Sequence, residues 1–509
     1  MKPLAAAILS LCCATAFAQS IGPTSATPEV GQTLAPPENL PADLGLKRMV
    51  RHLLNHNKTI GSKRNEQGIA VSSIDRAESA FQTNLNASVI AGDTAQRNTA
   101  EDRLFRPGLD VYRKNSTDYS AGLSKLFATG AKVEIKGTLS QFLSNVIQQQ
   151  GQGDNYRTYY GLSITQPLAR DAGPEVTLAR LHMAELDAEA ANYATLDIEN
   201  TVTAEAAMNY LDLSLAQERV KLAEQRIQVG QSLLRQANDL FKMGRLPESD
   251  VWEVENSLVK YQSALSEAQQ LLRERANKLR TMLMALADSA PDGLNATDPL
   301  PLKPVSVANA QQSLKTAFEK RKDFQMRRVM AEREGIQISY AENQGLPRID
   351  LVASYGLNGL ELSAGRATDP TIMGNYASWN VGVQFSMPLG ENLQAKADLS
   401  SAKLRKEDAL LSLQALEVAI VNDVDTTVGM LNSSIERWNQ LREVSDRETK
   451  QLELERKRLD AGRSGMREII YREERASSTR FAVIEQQVAY AKAEMLLNAA
   501  QGTLLDSFQ

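Results

Sequence analysis

Few side chains in this sequence are spaced for chemistry. His52 and His56 in "VRHLLNHNK" stand i, i+4, a spacing that can put two imidazoles on one helical face as metal ligands require. No cysteine or third donor is near them, and Lys47, Arg48, Arg51 and Lys58 surround the pair with positive charge, so a solvated helix face is the better reading. His182 is the remaining histidine, which leaves a histidine acid–base site short of candidates. Cys12 and Cys13 are the only cysteines, and both fall inside "MKPLAAAILSLCCATAFAQS". No G-x-S-x-G, HExxH or P-loop occurs. The basic clusters "RERANKLR" (273–280) and "ERKRLDAGR" (455–463) lack interleaved aromatics and read as solvated helix flanks. The expectation is a protein that is not an enzyme, with no cofactor, no metal and no nucleic acid partner.

The start of the chain reads as a secretory leader, 1–18, with Lys2 at its positive end and Ala16-Phe17-Ala18 as the cleavage site. Removing it takes away both thiols, and with them disulfides, zinc thiolates and cysteine nucleophiles. Acylation at Cys12 or Cys13 is the weaker reading, because neither follows a small residue. A Pro-rich tether, 19–45, comes next, and a second Pro-rich stretch, 287–312, divides the chain. The net charge of −5 offers no global field for nucleic acid. Hydrophobic residues are 42% and aromatics 5%, low for several globular cores but sufficient for long helices burying narrow seams. No stretch after the leader reaches 18 consecutive apolar residues, so no membrane helix is expected.

The two main segments, 46–286 and 313–509, are one unit written twice. "AESAFQTNLNAS" (77–88) parallels "AENQGLPRIDLVAS" (341–354), and "LSITQPLARDAG" (162–173) parallels "VQFSMPLGEN" (383–392). Pro167 precedes Gly244 by 77 residues and Pro388 precedes Gly462 by 74, which argues for duplication. Each half opens with a helix and then strands, about 83–168 and 348–388. Trp379, Val381, Val383, Phe385 and Met387 alternate with polar or small residues, as do Ile349, Leu351, Ala353, Tyr355 and Leu357. Leu85, Ala87 and Val89, and Tyr160, Leu162 and Ile164, repeat the pattern in the first half. Period two means one dry face and one wet face. The first half also carries an excess segment, 93–145, in which "AKVEIKGTLSQF" (131–142) alternates too.

Long helices follow. From Pro174 to Met243 no proline interrupts, roughly 105 Å of helix at about 1.5 Å per residue. Val220, Ala223, Ile227, Gly230, Leu234, Ala237 and Phe241 step by 3 and 4. Val254, Leu258, Tyr261, Leu265, Ala268 and Leu272 return the pattern, and Phe481, Ile484, Val488, Ala491 and Met495 repeat it in the second half. Such seams belong to coiled-coil hairpins. Their tips are "FKMGRLPESDV" around Gly244 and "RLDAGRSGMREI" around Gly462. Helices of this length make a rod or the wall of a tube. Two strands per half give four in the chain, or six if the excess segment pairs. Neither closes a water-filled barrel, yet open edges are forbidden in lipid, so several copies must share one.

Over nearly the whole mature chain the sequence resembles the TolC family of outer-membrane channel proteins. The landmarks are "LGLKRMVRHLLNHNKTI", "EKRKDFQM", "AENQGLPRIDL", "QPL" and "MPL" closing the strands, and "FKMGRLPESDV" at a tip. The resemblance implies a mainly α fold with a β-barrel part. Long helical hairpins form a trimeric α-barrel tunnel joined to a shared transmembrane β-barrel with four strands per protomer, twelve in all. It further implies a homotrimer in the outer membrane of a Gram-negative bacterium with a long periplasmic extension. The protein would be a passive exit duct for efflux or type I secretion, with outer-membrane lipid, a periplasmic adaptor and an inner-membrane transporter as partners. Gly244, Arg245, Leu246, Gly462, Arg463 and Ser464 would contact the adaptor. Asp250, Glu468 and Arg467 would belong to a periplasmic gate. The sequence departs from the best-known gate at Leu459, Ser464 and Tyr471, where the family pattern has a tyrosine, an arginine and an acid.

Overall fold

The computed structural model describes residues 43–284, 293–301, 307–369 and 374–508. The leader, nearly all of the tether, both cysteines and parts of 287–312 lie outside the described residues. Among the described residues, no helix is long and apolar enough to cross a membrane.

Four long helices dominate. Helix α3 (Ala179–Lys242, 64 residues) turns back into α4 (Glu248–Met282), and α7 (Leu393–Asp460, 68 residues) turns back into α8 (Met466–Gln501). The longer member of each pair spans about 100 Å at 1.5 Å per residue. The returning helices cover only the tip half. Beside the other half of α3 and α7 lie α1 (Leu46–His56), α2 (Lys58–Glu78), α5 (Ala310–Lys320) and α6 (Lys322–Gln344). Next to the sheet the contacts run α2 to α3 to α6 to α7, a row four helices wide.

The helix expected to run unbroken from Pro174 is interrupted. Pro174–Thr177 forms a single turn, and Leu178, at φ −89° and ψ −1°, separates it from α3. The Thr177 hydroxyl donates to the Gly173 carbonyl at 2.8 Å, a back-bond that bends helices. In the seams Ala223, Ala237, Val254, Tyr261, Ala268, Val488 and Ala491 are buried as their spacing requires. Leu233 rather than Leu234 is the deeper of that pair, and Phe241 near the tip is exposed.

Midway along the helices sit two cores that correspond between the halves. One gathers Leu44, Met49, Leu53, Tyr210, Leu213, Leu279 and Leu294. The other gathers Ile420, Val424, Leu431, Trp438, Tyr490 and Leu497, with Trp438 and Tyr490 ring centroids 5.5 Å apart. In the first, the Tyr210 hydroxyl is a hub. It donates toward the Leu44 carbonyl (3.0 Å) or Asp298 Oδ2 (2.9 Å) and accepts from the amides of Thr297 and Asp298 at 3.1 Å. Burial pushes its pKa up to about 12. A short parallel pairing of Asp43–Leu44 with Asn295–Ala296 is tied to α3 through this hub.

All long strands join one antiparallel sheet: β1 (Asn84–Arg97), β2 (Val111–Leu126), β3 (Lys132–Ser144), β4 (Asn155–Pro167), β5 (Arg348–Glu361) and β6 (Ala377–Ser386), paired in that order. The count of four is therefore corrected to six. The excess segment of the first half supplies all of β2 and β3, and Gly130 at φ 87° makes the turn between them. Toward the helical end the register keeps the faces distinct across the sheet. Leu85, Leu123, Ile135, Leu162, Tyr355 and Trp379 are successive partners in one row. One position along the strands the row is Asn84, Ser124, Glu134, Ser163, Ser354 and Asn380. This apolar row is exposed, most at the edge strands, with Leu85 at 71% and Trp379 at 74%, and least at Leu162, at 39%. On the polar face the Tyr159 ring lies flat against Gly161 and Gly356, where an added Cβ would come within 2.3 Å of it.

Candidate functional site

Both hairpin tips are built by the same local chemistry. Gly244 has φ 66° and Gly462 φ 65°, the left-handed conformation that side chains with a Cβ resist. The Gly244 amide donates to the Phe241 carbonyl and the Arg245 amide to the Leu240 carbonyl, both at 2.9 Å. Gly462 donates to Leu459 (2.9 Å) and Arg463 to Arg458 (2.8 Å) in the same pattern. These are Schellman caps, which satisfy the last carbonyls of a helix while reversing the chain. An added Cβ at either glycine would meet nothing within 4 Å, so the requirement is conformational rather than steric. Arg245 and Arg463 are exposed just past the caps, and Leu246 is half-buried.

Behind the glycines the two hairpins share one small core. Leu233, Ala237, Val251 and Val254 of the first meet Leu459, Met466, Ile469 and Ile470 of the second, with Leu246 packed against them. Leu459, at the position of the family's tyrosine, is thus a packing residue. Across this core Arg467 Nε donates to Glu253 Oε2 at 2.9 Å, the one expected gate residue found linking the two hairpins. Glu468 is held on its own helix by Arg472 at 2.8 Å. Asp250 lies in the first turn of α4 and enters no ion pair among the described residues.

Sequence reasoning missed a ladder across the second hairpin. Arg475 Nε donates to buried Glu448 at 3.0 Å, Arg456 to buried Glu473 at 3.0 Å, and Arg472 to Gln451 at 2.8 Å. Tyr471, at the family's acid position, accepts from Arg475 at 3.1 Å. Ser464, at the family's arginine position, hydrogen-bonds Glu455. That bond, with the nearby Arg458, holds the Glu455 carboxyl below the usual range. The i, i+3 and i, i+4 spacing within α8 hinted at such partners; their mates on α7 are 17 to 27 positions away and left no local signal. Met243 and Trp252 beside the first tip are also exposed, an apolar pair that the heptad pattern does not distinguish from seam residues.

The residues set aside at the start stay apart from any site. His52 and His56 stack with ring centroids 4.2 Å apart, and His56 Nδ1 bonds the His52 carbonyl. Among the described residues, no three His, Cys, Asp or Glu side chains gather where they could hold a metal ion.

Residues 313–503 match the family model described as outer membrane efflux protein. No curated protein matches the chain. Among solved structures, the CmeC outer membrane channel of Campylobacter jejuni is similar at 13% identity and TM-score 0.63, covering 90% of this chain and 86% of that one. The outer membrane protein VceC of Vibrio cholerae is similar at 14% identity and TM-score 0.62, with 90% and 96% covered. The MtrE outer membrane channel of Neisseria gonorrhoeae, solved in its open state, follows at 16% identity and TM-score 0.60, with 90% and 89% covered. At these identities the structural likeness carries the fold, while the second repeat carries the sequence signature. The match to the outer membrane efflux protein model thus covers the second repeat, and over nine-tenths of its length the chain shares the fold of these outer membrane channels.

Proposed function

We propose that three copies of this chain form the exit duct of a tripartite efflux pump or type I secretion system. The duct passively conducts cargo from an inner-membrane transporter and its adaptor across the periplasm and outer membrane. In this reading residues 1–18 are the leader and 19–45 the tether. Repeats 46–286 and 313–509, joined by 287–312, each give one wall segment. The observation that carries it is the sheet: a row of exposed apolar side chains crosses all six strands, backed by a polar row, with both edge strands open. Such a face is stable against hydrocarbon, and open edges there must be paired by another copy. A soluble scaffold would have to cover this face, and among the described residues no second layer does so.

The tips are the adaptor-facing entrance. Gly244, Arg245 and Leu246, with Gly462, Arg463 and Ser464, present capped backbone and two exposed guanidinium groups to an adaptor hairpin. Arg467 and Glu253 bind the hairpins together in the resting state, and Asp250 and Glu468 add carboxylates at the aperture. The test is a photo-crosslinking residue at Arg245 or Ser464 in intact cells, with export measured in a strain lacking the native gene. Capture of a periplasmic adaptor with restored export supports the proposal. Restored export with no capture from either tip contradicts the tip assignment, and no export from a correctly localised trimer contradicts the duct.

A further inference from the structure

The strands and helices of one protomer are attached in a single lateral order. Helix α2 leads into β1, β4 leads toward α3, α6 leads into β5, and β6 leads into α7. The helix row α2, α3, α6, α7 therefore repeats the order of β1, β4, β5 and β6 in the sheet. Strands β2 and β3 have no helix of their own. They form a hairpin inserted between β1 and β4, in register along 13 residue pairs with each other.

That hairpin is built into the wall. Its turn, 127–131, comes back to the helical end of the sheet, where the Gly173 amide donates to the Thr129 carbonyl at 3.2 Å and Gln166 Nε2 to the same oxygen at 3.2 Å. A Cβ on Gly130 would stand 2.5 Å from the Asp171 carbonyl oxygen and 2.8 Å from Pro167 Cγ. Toward the helical end Tyr119, Ala121 and Leu123 of β2 and Val133, Ile135 and Leu139 of β3 continue the apolar row of their neighbours, while 114–118 of β2 is polar on both faces.

Widths decide what the insertion does. Four packed helices at about 9.5 Å spacing make a row about 38 Å wide. Four strands at about 4.8 Å spacing and about 40° tilt cover only about 25 Å of barrel perimeter, while six cover about 38 Å. The six-stranded sheet matches the helix row beneath it; a four-stranded one would force the tube to taper.

Resting on the outer-membrane channel reading, we infer that three copies close an eighteen-stranded barrel, β6 of one copy pairing antiparallel with β1 of the next. Its outlet is as wide as the helical tunnel that feeds it. The occupant of each open edge is a second copy of this chain. Successive strands run in opposite directions from β1 to β6, so the two outer edges meet antiparallel with apolar side facing apolar side. The backbone diameter is about 36 Å, against about 24 Å for twelve strands. The barrel is then not the narrowest point for cargo, and selection by size falls to the entrance.

Electron cryomicroscopy of the full-length trimer in lipid nanodiscs tests this directly. Eighteen strands at about 36 Å are expected. A trimer whose barrel has twelve strands at about 24 Å, with residues 98–154 packed outside the wall, overturns the inference and leaves the channel reading standing; a particle with no membrane-embedded barrel overturns both. A variant lacking residues 98–154, with Arg97 and Asn155 joined through Asn-Gly, is expected to narrow the barrel by about one third. An unchanged diameter in that variant also overturns the inference, and should the variant not assemble, the full-length measurement decides.

Discussion

At the scale of single residues, the tips depend on backbone geometry more than on contacts. Gly244→Val and Gly462→Val each force a β-branched residue into the left-handed region, at about 1–2 kcal/mol of local strain. Because an added Cβ there meets open space, the packed seams stay intact. The expected outcome is an assembled trimer on native gels with export abolished; loss of the trimer would make the tips purely structural. The proposed gate gives a second expectation. Asp250→Ala with Glu468→Ala removes the two carboxylates assigned to it and should raise conductance or lower cation preference, and no change in either would refute the assignment. Glu455 adds a pH dependence. Its lowered pKa means that the contact with Ser464 contributes fully above the ordinary glutamate range and is lost as pH falls through the lowered value. Ser464→Ala should move that loss to higher pH, read as the pH at which tip-dependent closure of the channel fails. The glycine tips were legible in the sequence because Gly followed by Arg interrupts an otherwise continuous heptad. The Arg467–Glu253 link was not, because its partners stand 214 positions apart.

At the scale of elements, the sheet and the equatorial core make separate claims. Leu162→Arg places a guanidinium in the middle of the apolar row and should cost about 2–4 kcal/mol if that position lies at the bilayer midplane. Ser163→Arg, one position on and facing the polar side, should be tolerated. The fraction of folded, heat-modifiable protein in outer-membrane preparations separates the two; equal effects would mean that the apolar row does not face lipid. Tyr210→Phe removes a hydroxyl that joins four backbone or carboxylate partners and should lower the trimer's stability by about 1–3 kcal/mol, read by thermal melting. In the native chain, the raised pKa of Tyr210 makes its contribution complete below the ordinary tyrosine pKa and lost as pH rises through about 12. The period-two pattern announced β1, β4, β5 and β6 through their alternating apolar positions, and 131–142 marked β3 as well. It was silent over β2, where Lys114, Asn115, Ser116, Thr117 and Asp118 run polar on both faces. That is why four strands were expected and six are present. The break at Leu178 was hidden for a similar reason: the bending bond comes from a threonine hydroxyl, and nothing in the apolar periodicity records it.

At the scale of the whole molecule, closure of the sheet decides the assembly. A protomer supplies a sheet that is wet on one side, dry on the other and open at both edges, standing on helices about 100 Å long. Each feature by itself has a soluble solution. Their combination, in a chain whose second repeat matches the outer membrane efflux protein model, has one that satisfies every backbone group: copies joined edge to edge around an aqueous bore. The measurement nearest to that claim is the current through purified full-length trimer in a planar lipid bilayer. Discrete, ion-carrying steps, enlarged when Arg467→Ala and Glu253→Ala free the paired hairpins, are the predicted result. A correctly folded trimer that inserts but carries no current in either form would contradict it.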